Sequence, residues 1–340
     1  NSATAGLHLA LECIGLKPGE KVITTPYTFA ATAGVIRYFN ADPIFIDINE
    51  SDYNIDPQKI HEFCNTECFF EKGVLYHKKT KSAIKAIIPV HIGGFACNMD
   101  EIMKIAKSYN LKVIEDAAHA LPSFYKGKKI GTISELTVFS FYATKPITTA
   151  EGGMVVTSNP EYSKRIKSTR LHGIDRGVWD RHSGKESQWY YEIIEAGFKY
   201  NMTDIAASLG LQQLKKADRF HERRKKIAAM YNKELRDIEG IVLPKDEPGH
   251  AWHLYIAKLN SPRIARDEFI KKMCENGIGI GVHYIPLHIH PYYRDKYGFK
   301  PEDFPVAYEC YKNVFSLPIY TKLTDDDVYR IIKTIRGLLS

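Results

Sequence analysis

No window of the 340-residue sequence stays apolar for the ~18–20 residues that a membrane span requires, and no CxxC pair occurs in it. Its six cysteines, Cys13, Cys64, Cys68, Cys97, Cys274 and Cys310, are scattered along the chain. That spacing excludes a paired-cysteine zinc module and matches the free thiols of a reducing cytoplasm. His61, Cys64 and Cys68 would share one helical face, but they lack the second ligand pair of a zinc site. A strong charge of one sign is also missing: 47 Lys and Arg stand against 40 Asp and Glu, for a net charge of +7. This surplus is spread out, suits a small anionic ligand and falls short of a nucleic-acid footprint. The strongest basic run, Arg223-Arg224-Lys225-Lys226, sits in a helical stretch and reads as a solvated face. There are no internal repeats and no low-complexity tracts. An initiator Met and a signal peptide are absent too. Asn1-Ser2-Ala3-Thr4-Ala5 leads straight into an apolar helix, so a further N-terminal segment is expected to be missing from this sequence.

What is present is enough apolar sequence, 44% of residues, to bury a large core. The length suggests two domains. From residue 4 to about 160 helical and β-rich runs alternate. Residues 4–15 and 28–39 read as helices, Val22-Ile23 and Ile44–Ile46 as strands, followed by the strand Ala86–Val90, the helix Met99–Tyr109 and the strand Val113-Ile114. Strands Val138–Phe141 and Met154–Thr157 and a helix over about 160–171 continue the series. Such alternation predicts an α/β domain with a mainly parallel sheet covered by helices. Residues 173–200, rich in Gly, Trp and Tyr, read as a loop or excursion. A long helix is predicted over about 203–236, capped by Thr203. Pro244 and residues 246–249 mark a boundary, which places a large domain at 1–240 and a smaller C-terminal α+β domain at 241–340. In the latter, Leu254–Leu259 and Gly279–Tyr284 read as strands, and Ala265–Glu275 and the stretch from about 324 as helices.

Four stretches carry chemistry. Glu115-Asp116-Ala117-Ala118-His119 follows the strand ending at Ile114, which puts Asp116 at a carboxyl-terminal strand end, where ligands collect in open α/β sheets. Alone, an acidic residue there reads more readily as a cap on the next helix. Ser140-Phe141-Tyr142-Ala143-Thr144-Lys145 ends a strand in hydroxyls and a lysine, and Glu151-Gly152-Gly153 starts the next one, the glycines allowing backbone to pass close to a ligand. A lysine between two β-runs points to a buried role. Ser2-Ala3-Thr4 opens a helix whose first N–H groups lack helical partners, a ready site for a phosphate. Thr25-Pro26-Tyr27-Thr28-Phe29-Ala30 sets an aromatic just past a strand.

In this combination and order, the sequence resembles the DegT/DnrJ/EryC1/StrS family of sugar aminotransferases. Leu171-His172-Gly173, the run from Gly197 to Asp204, His253-Leu254-Tyr255, Pro286-Leu287-His288 and Ser316-Leu317-Pro318 agree with that resemblance over essentially the whole chain. The resemblance implies the pyridoxal-phosphate-dependent transferase fold of type I, with pyridoxal 5'-phosphate as cofactor. It further implies that Lys145 forms the covalent link and that Asp116 faces the pyridine nitrogen. Phe29 would stack on the ring, and His119 would approach the phenolic oxygen or the ring edge. Ser140, Thr4 and the Ala3 N–H would take the phosphate. Ala3 and Ala150 stand where the family commonly has Gly. Lys199 stands where members place an Asn that reaches the neighbouring subunit's phosphate; it would act there as a point charge or be a surface residue.

The activity so implied is transamination of a nucleotide-linked keto-sugar, at C4 of a UDP-4-keto-6-deoxyhexose, with glutamate as amino donor. The partners are that sugar nucleotide, the donor and a second copy of the chain, in a cytoplasmic homodimer with the site at the subunit boundary. The stretch from Gly277 to Tyr293 carries the substrate assignment, with His288 as a sugar or diphosphate contact. The spacing of His283, His288 and His290 would suit a metal, but alternation turns some of them apart and no carboxylate joins them, so no metal is expected. Two other readings stand beside this one. A sugar dehydratase of the same family would carry a histidine in place of Lys145, and a silent cofactor-binding regulator would not need the intact set Lys145, Asp116 and Ser140.

Overall fold

The computed structural model describes residues 1–175 and 189–339. Its first elements are α1 (Ala3–Cys13), β1 (Lys21–Thr24), α2 (Ala30–Tyr38) and β2 (Asp42–Phe45). Then come α3 (Pro57–Thr66), a hairpin of β3 (Cys68–Glu71) and β4 (Val74–His77), β5 (Ala83–Ile87), α4 (Met99–Ser108) and β6 (Lys112–Asp116). A small hairpin, β7 (Phe124–Tyr125) and β8 (Lys128–Lys129), precedes β9 (Leu136–Ser140), β10 (Gly153–Val156) and α5 (Pro160–Thr169). The main sheet has the order β10-β9-β6-β5-β1-β2, with the β3–β4 hairpin joined to β5. Its central pairs are parallel, and β10 runs antiparallel to β9. Every residue of β1 and β9 is buried, as in a parallel strand covered on both faces.

Helix α1 is apolar on nearly all sides, and eight of its residues are buried. It lies flat on β9 and β10: a Cβ added to Gly6 would come within 2.7 Å of Val138 Cγ1. Ser2 caps it by accepting from the Ala5 N–H at 3.1 Å. The carboxyl ends of β6 and β9 and the start of β10 meet at one edge of the sheet, since Asp116 pairs with Val138 and Gly153 with Ser140. The first turn of α1 reaches this same edge.

The chain continues with α6 (Asp204–Leu214), α7 (Ala217–Leu235), β11 (Ile241–Val242), β12 (Tyr255–Leu259), α8 (Arg266–Glu275), α9 (Pro291–Tyr297), α10 (Pro305–Asn313), β13 (Val314–Leu317) and α11 (Asp325–Leu339). Strands β11, β12 and β13 form an antiparallel sheet. Its core draws Phe269 and Met273 from α8 and Val328, Ile332 and Ile335 from α11. Ile227, Tyr231 and Leu235 of α7 belong to the same core, upstream of the boundary expected at residue 240. No helix among the described residues is long and apolar enough to cross a membrane.

Two expectations need correction. The single helix over 203–236 is two helices that break at Lys215-Lys216. No Gly or Pro announces the break; it turns α7 into the C-terminal core while none of α6 is buried. Thr203 is the predicted cap, accepting from the Ala206 N–H at 3.3 Å. The expected strand Gly279–Tyr284 is irregular, with one bridge, Gly281 to Ser316. Its alternate residues Gly279, Gly281 and His283 line a cavity rather than a ladder.

Candidate active site

That cavity, of about 1180 Å³, opens at the edge where β6, β9, β10 and α1 converge. Ser140, Ala3, Thr4, Phe29, Asp116, His119 and Lys145, all singled out from the sequence, line it. Strand pairing explains why residues so far apart in sequence arrive together.

Asp116 is buried at the end of β6. Its Oδ2 accepts from the Thr32 hydroxyl at 2.8 Å, and Oδ1 from the Ala118 N–H at 3.2 Å. Burial raises its pKa above the ordinary carboxylate range; the Thr32 and Ala118 hydrogen bonds and the nearby Lys145 charge act against that rise. Lys145 sits in a loop closed by Phe141, whose carbonyl accepts from the Thr149 N–H and whose N–H donates to the Gly152 carbonyl, both at 2.9 Å. Burial lowers the Lys145 pKa to about 8, with the Asp116 charge pulling it back up. A free amine near neutral pH is what a general base or nucleophile requires.

In the same cavity, His119, His253 and His283 cluster with Tyr284. His119 and His253 ring centroids lie 4.4 Å apart. His283 shares a 2.8 Å hydrogen bond with the Ser316 hydroxyl, through Nδ1. Burial, then the Lys145 charge, brings the His283 pKa down to about 4; burial also holds His119 and His253 well below the usual histidine value. These imidazoles are neutral at physiological pH.

Gly153 explains the glycine pair. A Cβ there would lie 2.5 Å from the Ala3 nitrogen, so only a glycine lets β10 run against the first turn of α1. The resulting concavity, with the N–H groups of Ala3 and Thr4 and the hydroxyls of Thr4 and Ser140 beside it, suits a phosphate dianion. Phosphate donors at one end, a lowered-pKa lysine and a buried carboxylate together fit pyridoxal phosphate.

Two sequence-predicted residues lie elsewhere. Lys199 is exposed, bonds Asn201 through its ammonium, and does not line its own chain's cavity. His288 is a correction: it is fully buried beside Phe304, with ring centroids 4.8 Å apart, and does not line the cavity. The 3-10 turn Leu287–Ile289 rotates it into the core instead. Four further cavity residues, Thr32, Arg224, His253 and Tyr284, carry no individual site role in the sequence reading. Thr32 could have been found as the residue one helical turn after Thr28; Arg224 was read as part of a solvated run. Its guanidinium is buried and donates from one nitrogen to the Trp252, His253 and Ile319 carbonyls.

A sequence model described as the DegT/DnrJ/EryC1/StrS aminotransferase family matches residues 1–336. The chain belongs to that family. It is therefore a pyridoxal-phosphate-dependent aminotransferase with the type I fold. The uncharacterized protein MJ1066 of Methanocaldococcus jannaschii is 52% identical over all of this chain and 85% of its own length. The spore coat polysaccharide biosynthesis protein SpsC of Bacillus subtilis is 42% identical, over all of this chain and 84% of its own. Among solved structures, the putative sugar aminotransferase Spr1654 of Streptococcus pneumoniae in its PMP form superimposes with a TM-score of 0.87 at 31% identity, covering 99% of this chain and 86% of that one.

Proposed function

We propose that this family member transfers an amino group from glutamate to the C4 ketone of a nucleotide-linked 4-keto-6-deoxyhexose, with UDP as the nucleotide. The observation that carries the proposal is the meeting of Lys145 and Asp116 in one cavity with a phosphate-sized cradle at Ala3, Thr4, Ser140 and Gly153. Family membership and the sugar-related titles of SpsC and Spr1654 support the substrate class. The resemblance carried by the stretch from Gly277 to Tyr293, of which Gly279, Gly281, His283 and Tyr284 line the cavity, supports the C4 assignment.

When bound, pyridoxal phosphate takes up an amine and withdraws electrons from the carbon that carries it. In this proposal Lys145 Nζ would hold the cofactor, and as a free amine with a pKa near 8 it would accept and return a proton there. Asp116 would face the ring nitrogen and favour its protonation, and a cation there would offset the burial that disfavours the ionised carboxylate. Thr32 and the Ala118 N–H fix the carboxylate's direction. Phe29 would cover one ring face. Ala3, Thr4 and Ser140 orient the phosphate.

Two copies are proposed to form the working unit. Helix α6 presents Ile205, Leu209, Leu211 and Leu214 to solvent, and Phe29 at the cavity mouth is 65% exposed. So large an apolar face is characteristic of a subunit interface. Lys199, pointing away from its own cavity, would meet the partner's phosphate.

Borohydride reduction of the cofactor-loaded protein followed by peptide mapping tests the anchor. The expected adduct is on Lys145, and an adduct elsewhere overturns the proposal. Substrate class is tested by adding glutamate, which should bleach the visible band, and then a panel of UDP-, dTDP- and GDP-linked keto-sugars, of which the UDP-linked 4-keto-6-deoxyhexose should restore it fastest.

A further inference from the structure

His119 has no nitrogen left for a ligand. The Gly93 N–H donates to its Nδ1 at 3.3 Å, so Nδ1 is an acceptor and the ring proton belongs on Nε2. The Tyr284 hydroxyl lies 3.0 Å from Nε2, and the two rings are nearly parallel, at 18°. With the proton on Nε2, His119 donates to the Tyr284 oxygen. The tyrosine's own proton then cannot point back at His119. Tyr284 lines the cavity, where it feels the Asp116 charge.

The loop that imposes this tautomer is itself fixed. Gly93 adopts φ +64°, a left-handed conformation natural to glycine. Its neighbour Ile92 donates to the Asn54 Oδ1 at 2.9 Å, and the Asn54 amide donates to the Phe95 carbonyl at 3.1 Å. His91, wholly buried, accepts from the Cys97 N–H through Nδ1 at 3.1 Å and donates to Glu115 Oε2 at 2.9 Å. Double protonation of His119 is opposed by burial and by the Lys145 charge.

We propose that Tyr284 is a hydrogen-bond donor in the cavity that Lys145 lines, and that His119 is a positioning residue that acts through it by fixing the direction of its proton. The recipient is an electron-rich oxygen of phenolate type on the group held by Lys145. This rests on the proposed role of Lys145, and it transfers to Tyr284 the contact expected of His119 from the sequence. The titratable groups facing the pair are Tyr27 ahead of α2, Asp116 from β6, Lys145 from the loop after β9, His253 ahead of β12 and His283 from the segment of Tyr284 itself.

The test is a spectrophotometric pH titration of the cofactor-loaded protein, read without turnover. A donor to that oxygen stabilises the deprotonated chromophore, so Tyr284→Phe, which keeps the ring, should raise the midpoint by about one pH unit, roughly a tenfold change in proton affinity. His119→Leu should produce a similar shift alone and none in the Tyr284→Phe background. His119→Gln, whose amide N–H can replace Nε2–H, should recover most of the wild-type midpoint. An unchanged midpoint in Tyr284→Phe, or a His119→Leu shift that persists in full without the tyrosine hydroxyl, overturns the proposal. A wild-type protein that takes up no cofactor overturns the Lys145 reading as well. Nitrogen NMR of the histidine-labelled wild-type protein needs no variant: His119 protonated on Nε2 is expected, and protonation on Nδ1 would overturn the assignment.

Discussion

Gly153 and Ala3 are in backbone contact across the start of β10 and the start of α1, with no space between them for a side chain. The proposed phosphate cradle depends on that contact. Gly153→Ala must push the helix end off the strand. We expect cofactor affinity to fall at least about tenfold and stability to drop by about 1–3 kcal/mol, the usual cost of overpacking. Equilibrium binding of pyridoxal phosphate and a denaturant titration measure the two effects; wild-type affinity in the variant would mean that the phosphate lies elsewhere.

Asp116 raises the proton affinity of Lys145, and the amine must be neutral to attack an aldehyde. Cofactor capture by the cofactor-free enzyme should therefore accelerate with rising pH and level off above about 8. In Asp116→Asn the ammonium loses its counter-charge, so the midpoint should move to lower pH. Stopped-flow capture rates across pH 6–10 check the direction, and an upward shift contradicts it.

Burial holds the pKa of His250 near 3 and that of His283 near 4, both below the unfolded value near 6.5. The unfolded chain thus binds protons that the folded chain refuses. Stability from these groups is intact above pH 6.5 and is lost as pH falls toward their folded values, by about 1.4 kcal/mol per pH unit for each histidine. Urea denaturation at pH 7 and pH 5 should show the loss, and His250→Phe, if it packs against Trp252, should reduce it.

Leu211 is 63% exposed on α6, amid other exposed apolar side chains. Leu211→Glu places a charge on the proposed subunit face and should shift a dimer toward monomers without changing the helical circular dichroism. Sedimentation velocity distinguishes the outcomes; a wild-type monomer would refute the interface.

Ala150 has φ +65°, where an L side chain is strained by about 1–2 kcal/mol. Ala150→Gly should raise the thermal midpoint by a few degrees, given that its Cβ is exposed and contributes little packing. A fall in the midpoint would show that the methyl group is needed.

The parallel sheet was legible because buried strands and amphipathic helices write their periods directly into local sequence, and Asp116, Ser140 and Lys145 stand at strand ends or in the loop beyond them. The cradle was legible in part: Ser2-Ala3-Thr4 reads as a helix start, but its approach to Gly153 is a contact between residues 150 positions apart. The break between α6 and α7 left no Gly or Pro to read, since it answers to two different packing partners. His288 misled because a 3-10 turn rotates it inward, and no periodicity governs so short an element.

Sequence by itself determined which residue types were available and the local segments that carry them, because propensity, capping and alternation act within a few residues. Only the tertiary structure decided proton placement. Whether Lys145 is free, which nitrogen of His119 is protonated and where the Tyr284 hydroxyl points all depend on burial and on partners brought from distant segments, and electrostatics in a desolvated cavity is a property of that assembly.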